Sequence, residues 1–274
     1  MTGKLARLWP AGKEDVRQAI RTSGPCLCFG HSDDLLYVAN RYFRDIMVFS
    51  SRGTLICRLD VQRPGKASYL TGVAIHPQNF LYVANTHDLD IWTLHGTFVG
   101  TCFDWPFPTG ITFDYAGRLV MGNHTGHKVV VVEHNLVPLN FPGVPHIVCT
   151  YGDVDFPSGV AGSLDGDLCV ADEARNCIHM WDNIGSRRCF GTSGDGEGQF
   201  RSPDGVAFDG DGTLYVADTD NSRIQTFRKD GTFLCQWKCE ETFLDTETPW
   251  RPHGLAFKNG ELYVCNYNRI RVFV

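Results

Sequence analysis

Short apolar runs rich in Val, Leu, Phe and Tyr follow one another along the chain, separated by Gly, Asp, Asn and Pro. The stretch "SPDGVAFDGDGTLYVADTDNSRIQTF" (202–227) shows the unit: "GVAF", then an Asp-Gly-Asp-Gly turn, then "LYVA", then "RIQTF". Residues tolerant of positive φ between β-rich runs predict hairpins. The same stretch fails as a helix-loop-helix calcium site. Counting from Asp209, position 5 is Thr213, position 6 is Leu214 and position 12 is Asp220, where an oxygen donor, Gly and Glu are needed.

The unit repeats. "LYVAD" at Leu214 returns as "LYVAN" at Leu36 and Leu81, "LVMGN" at Leu119, "LCVAD" at Leu168 and "LYVCN" at Leu262, six copies in all. Five are preceded by a triplet ending in glycine: Leu70-Thr71-Gly72, Pro108-Thr109-Gly110, Pro157-Ser158-Gly159, Pro203-Asp204-Gly205 and Pro252-His253-Gly254. The first copy keeps only the proline, in Pro25-Cys26-Leu27. The glycines are 38, 49, 46 and 49 residues apart, the spacing of one four-stranded propeller blade per repeat. Each triplet reads as a turn, followed by a short innermost strand, the "LYVA" strand, a third strand and an outer strand such as "GTFLCQW". The sixth unit stops at "RIRVFV", and Gly3 to Trp9 matches the outer strand it lacks. The expectation is an all-β, six-bladed β-propeller of four-stranded blades filling 1–274 as a single domain, with residues 3–9 completing the last blade. Residues 11–23, containing "KEDVRQAI", read as a linker with a short helix.

The segment from Phe190 to Phe227, with its Gly-Gln-Phe lead-in, Pro-x-Gly, Ala-Asp and Asn-x-Arg-Ile, resembles the NHL repeat, and the other five units resemble degenerate copies. The resemblance implies an NHL-type propeller. It leaves function open, because propellers host unrelated activities.

Composition narrows the field. Eleven cysteines without a C-x-x-C pair indicate neither a zinc ribbon nor a fully paired disulfide framework. Cys28, Cys169, Cys235 and Cys265 fall inside expected strands and are read as small buried apolar groups. A reducing compartment fits, with no signal-peptide stretch and no run of transmembrane length, so a cytoplasmic or otherwise intracellular protein without a membrane partner is expected. A net charge of -6 disfavours a nonspecific nucleic-acid binder.

In this fold the triplets and the ends of the second strands open on one face, around the channel mouth. The triplet positions offer Cys26, Thr71, Thr109, Ser158, Asp204 and His253. A related propeller lyase holds zinc through Pro-His turns, but only Pro252-His253 matches here, and lactonase-like propellers hold a cation with Glu, Asn and Asp. The strand-ending Asn40, Asn85, Asn123, Asp172, Asp218 and Asn266 could supply such oxygens, yet a residue repeated in every blade reads more simply as a cap bonding loop amides. No metal, cofactor or catalytic residue is therefore expected. "HTGHK" (124–128) reads as solvated. What breaks the symmetry is the first blade's loop, Arg41, Tyr42, Phe43 and Arg44, with Arg63 and Lys66 in the following segment, against the acidic "KCEETFLDTETPWR". Clustered arginine and aromatic residues have the composition of a binding hot spot. The favoured function is a noncatalytic platform binding a protein or peptide partner there, with RNA as the second partner class and a metal-dependent lyase or lactonase as the alternative.

Overall fold

A computed structural model describes residues 5–9, 27–30, 33–41, 43–66, 68–103, 107–133, 146–238, 250–266 and 269–274. The expected linker at 11–23, Gly3, Cys26, Tyr42 and most of the acidic segment lie outside the described residues. No helix among those described is long and apolar enough to cross a membrane.

Six four-stranded antiparallel sheets form the propeller. Blade one comprises Leu27–Phe29, Leu36–Asn40, Asp45–Phe49 and Leu55–Asp60. Blade two comprises Leu70–Ile75, Phe80–Asn85, Leu89–Thr93 and Phe98–Phe103. Blade three comprises Pro108–Phe113, Leu119–Asn123, Lys128–Glu133 and His146–Tyr151. Blade four comprises Pro157–Gly162, Leu168–Asp172, Cys177–Trp181 and Arg187–Phe190. Blade five comprises Pro203–Phe208, Leu214–Asp218, Arg223–Phe227 and Phe233–Trp237. Blade six comprises Leu255–Lys258, Glu261–Asn266 and Arg269–Phe273, and Leu5–Trp9 pairs antiparallel with its third strand, Leu8 facing Arg271.

Burial follows position in the blade. Second strands such as Leu168–Asp172 are buried along their whole length, because another blade covers each face. Outer strands are largely exposed, and Cys235 with them. The expected burial of Cys235 is corrected accordingly, while Cys169 and Cys265 are buried and Cys28 half-buried. The core lies between blades: Tyr215 and Ile224 of blade five pack with Leu262, Val264 and Phe273 of blade six. The hairpin turns are set by acids, as expected for Asx turns. Asp209 Oδ1 accepts from the amides of Asp211 at 3.0 Å and Thr213 at 2.8 Å, and Gly212 takes φ +82.

The Pro-x-Gly triplets differ from their sequence reading. In blades three to five they are the bulged first residues of the innermost strands, with register shifts between Pro108 and Ile111, Pro157 and Val160, and Pro203 and Val206. Proline fits at a strand's first residue. The glycine is there for its neighbour. A Cβ on Gly72, Gly110, Gly159 or Gly205 would collide with the carbonyl oxygen of Thr109, Ser158, Asp204 or His253, the middle residue of the next blade's triplet.

Two outcomes follow. Gly159→Ala should cost about 1–3 kcal/mol, the usual range for overpacking, while Gly210→Ala, with nothing within 4 Å of its added Cβ, should be near neutral. Equal urea midpoints for the two variants would contradict the close-approach account. Deleting residues 1–9 should uncover the edge of Arg269–Phe273 and expose part of Ile270, Val272 and Phe273, now at most 1% accessible. The cost is several kcal/mol at ~1.5–3 per large apolar side chain, and an unchanged melting temperature would show that this strand does not hold the ring.

Candidate functional site at the channel mouth

The second strands end in six buried caps, Asn40, Asn85, Asn123, Asp172, Asp218 and Asn266. Asn85 Oδ1 accepts from the amides of His87 and Asp88, both at 3.0 Å, and Asn123 Oδ1 from Gly126 at 2.7 Å. Asn266 Oδ1 accepts from Arg251 N at 3.1 Å. Asp172 accepts from the amides of Asp155 at 2.7 Å and of Phe156 and Arg175 at 3.1 Å. Burial opposes its charge, but these donors and His179 hold its carboxyl down to about 2. The caps act as structure.

The triplet hydroxyls are likewise engaged across blade boundaries. Thr71 Oγ1 donates to Pro108 O and Thr109 Oγ1 to Pro157 O, each at 2.6 Å, and Ser158 Oγ donates to Pro203 O at 3.1 Å. His253 Nδ1 lies 2.8 Å from Asp204 Oδ2. These five expected mouth residues come together with Arg41 around one cavity of about 280 Å³.

Its remaining wall was missed in the sequence. Thr86, His124 and Glu173 each stand one residue beyond a cap, as Arg41 does, and Phe107 and Phe156 stand one residue before a triplet proline. Where the caps repeat, the residues after them differ in charge and shape, and that variation is the signal that could have found them. His124 is not simply solvated. Its ring packs 3.8 Å from that of Phe156, and burial and then the neighbouring His127 lower its pKa. Burial, with the charges of Asp204 and Asp220, raises the pKa of Glu173, partly offset by His253 and Arg251. The mouth thus presents Arg41, His124 and aromatic rings on the side of blades one to three, and the acids Glu173 and Asp204 on the side of blades four and five.

The structure divides the six residues expected to bind a ligand. Arg41 and Arg44 hold their guanidinium carbons 6.0 and 5.7 Å from the ring centre of Tyr69, beside Phe43, which is 50% exposed. Arg63 instead donates to Thr101 at 2.8 Å and pairs with Asp88 and with Asp90 at 2.9 Å, and Lys66 pairs with Asp88 at 2.7 Å. Neither lines the cavity. Tyr42 lies outside the described residues.

Six four-stranded blades around a mouth cavity define a six-bladed β-propeller. Within it, the NHL repeat profile matches residues 200–227, in blade five. It is 55% identical over 47 residues to the B-box type zinc finger protein ncl-1 of Caenorhabditis elegans, covering 17% of this chain and 6% of that protein. It is 50% identical over 48 residues to Protein brain tumor of Drosophila melanogaster, covering 18% and 5%. The matches therefore span a small part of those relatives' length. Among solved structures, a gluconolactonase from Xanthomonas campestris superposes with a TM-score of 0.68 over 93% of this chain and 86% of that one, at 17% identity. That likeness shows the fold alone.

Glu173 gives a pH outcome. Its folded pKa lies above the ordinary 4.5, so the folded state keeps a proton that the unfolded chain releases. Stability should fall as pH rises from there through the raised value. Glu173→Gln should flatten that slope in urea unfolding followed from pH ~4.5 to 7, and the same slope in both proteins would place the carboxyl in solvent.

Proposed function

We propose that this propeller is a noncatalytic platform that binds an acidic, aromatic-bearing peptide segment of a protein partner across the rim of the mouth cavity. The carrying observation is the pair Arg41 and Arg44 gathered on Tyr69 beside exposed Phe43, with Arg41 and exposed Phe107 also lining the cavity. Guanidinium forks match carboxylates in two-point fashion, and exposed aromatic rings supply apolar contact area at low entropic cost. RNA is disfavoured by the same sector: Arg63, Lys66 and Arg58 are matched by Asp88, Asp90 and Asp45, which leaves a small basic patch for phosphate neutralisation.

The noncatalytic reading also rests on the engagement of the triplet side chains, since Thr71, Thr109 and Ser158 already donate to neighbouring carbonyls. The short matches to NHL-bearing proteins support a binding role. All nine described cysteines are free thiols, which agrees with the intracellular setting proposed for it.

The test is crosslinked capture from cell extract with and without nuclease, comparing wild type with Arg41→Glu/Arg44→Glu. Nuclease-resistant capture lost in the double variant at unchanged melting temperature is expected, because partly exposed loop charges contribute little to folding. Capture abolished by nuclease would make RNA the ligand. Full retention of every partner by the double variant would move the site elsewhere, and turnover of a lactone lost on His253→Ala would establish the enzymatic alternative.

A further inference from the structure

The position that faces each cap across the second and third strands has a consistent character. It holds Asp45, Asp88, Lys128, Arg223 and Arg269 in blades one, two, three, five and six, a charged residue each time. In blade four it holds Cys177. In blade five the position braces the cap: Arg223 Nε and Gln225 Nε2 donate to Asp218 Oδ2 at 2.7 and 3.0 Å. Blade four replaces that pair with Cys177 and His179, and the outer strand places Cys189 directly opposite His179.

Alternation along the strand puts Cys177 and His179 on one face, and the register adds Cys189 to it. The Sγ atoms of both cysteines and a ring nitrogen of His179 all lie within 4.8 Å of one another. His179 Nε2 is 3.6 Å from Cys177 Sγ and 3.1 Å from Asp172 Oδ2. Zinc bonds of about 2.3 Å to sulfur and about 2.0 Å to nitrogen and oxygen, at tetrahedral angles, separate a sulfur and a nitrogen donor by about 3.6 Å and a nitrogen and an oxygen by about 3.3 Å. Cys177 and His179 stand at that spacing, and Cys189 lies within 4.8 Å of both.

We propose that Cys177, His179 and Cys189 form a binding site for a zinc-class divalent cation on blade four, with solvent as the fourth ligand and the Asp172 carboxylate beside His179. Two sulfurs and an imidazole select a borderline-soft ion over magnesium or calcium. Each sulfur enters as thiolate and the imidazole as the neutral ring, so binding releases the protons that the two cysteines and His179 hold between them. Two thiolates, the carboxylate and the ion sum to one negative charge, offset by Arg187, whose Nη2 is 3.0 Å from His179 Nδ1. With the ion on Nε2 the ring carries its proton on Nδ1. Arg187 then turns wholly to Asp153, which already accepts from it at 2.9 Å at the carboxylate and 3.0 Å at the carbonyl. Cys189 is exposed and gives the ion its entry, while Cys177, His179 and Asp172 are buried. Because Asp172 also holds the amides of Asp155 and Phe156, the ion beside it would brace the loop that carries Phe156 to the cavity wall. Linear spacing hides this set: the sequence offers no C-x-x-C pair, and strand register brings Cys189 to the other two.

The test titrates zinc alone, and then cobalt(II), into the reduced, chelator-stripped full chain, with competition by a chromophoric chelator. One zinc per chain is expected, and cobalt should give the strong visible bands of a tetrahedral ion with thiolate charge transfer. His179→Gln copies blade five and so keeps a donor to Asp172 while removing a ligand. It should melt like the metal-free wild type yet lose affinity by at least the roughly 10- to 100-fold that removal of a mere supporting partner costs. Cys189→Ala, on the exposed outer strand, should do the same, whereas His253→Ala should bind as wild type does. Zinc binding by wild type that is no tighter than by Cys189→Ala, or a cobalt spectrum without thiolate bands, would overturn the site.

Discussion

The close approach of the innermost strands around the axis is the constraint on which the rest depends. Gly72, Gly110, Gly159 and Gly205 each lie against the carbonyl of the next blade's triplet, at a distance that admits no side chain. That contact sets how tightly six sheets can converge. It also decides what the residue between proline and glycine can do: Thr71, Thr109 and Ser158 reach across the boundary to a neighbouring carbonyl, and so become part of the ring.

Outside that ring, blade-to-blade repetition separates structure from function. The caps are buried and saturated because each blade must fold its mouth loop in the same way, whatever else it carries. One residue further on, the constraint ends and chemistry diverges into Arg41, Thr86, His124 and Glu173 around one cavity. Blade four departs a second time, beneath its cap, where a position otherwise charged holds a thiol. Both departures meet at Asp172, whose oxygens hold the loop bearing Phe156 and face His179.

Much of this was legible in the chain itself. The Pro-x-Gly and "LYVAN" units repeat because every blade meets the same packing problem, so six blades could be read directly from them. Less was legible wherever partners come from distant segments. Arg63 and Lys66 read as an open basic pair, but the acids that hold them arrive 25 and 22 residues later. Cys235 reads as a core thiol because it lies in a strand, although the repeat already makes that strand, "GTFLCQW", the outer one, where side chains meet solvent. His124 reads as solvated until Phe156, from the next blade, is placed against it. The triplets read as turns because Pro and Gly are turn residues, whereas here proline opens a strand and glycine admits a neighbouring backbone.

The division between repeated structure and divergent site is tested most directly by substituting every mouth residue in turn and scoring folded abundance and partner capture separately. Substitutions at Asn40, Asn85, Asn123, Asp172, Asp218 and Asn266 should lower abundance, with capture falling only in proportion. Those at Arg41, Thr86, His124 and Glu173 should change capture at full abundance. Cap variants that fold fully yet lose capture, or residues after the caps that alter capture only through abundance, would contradict it.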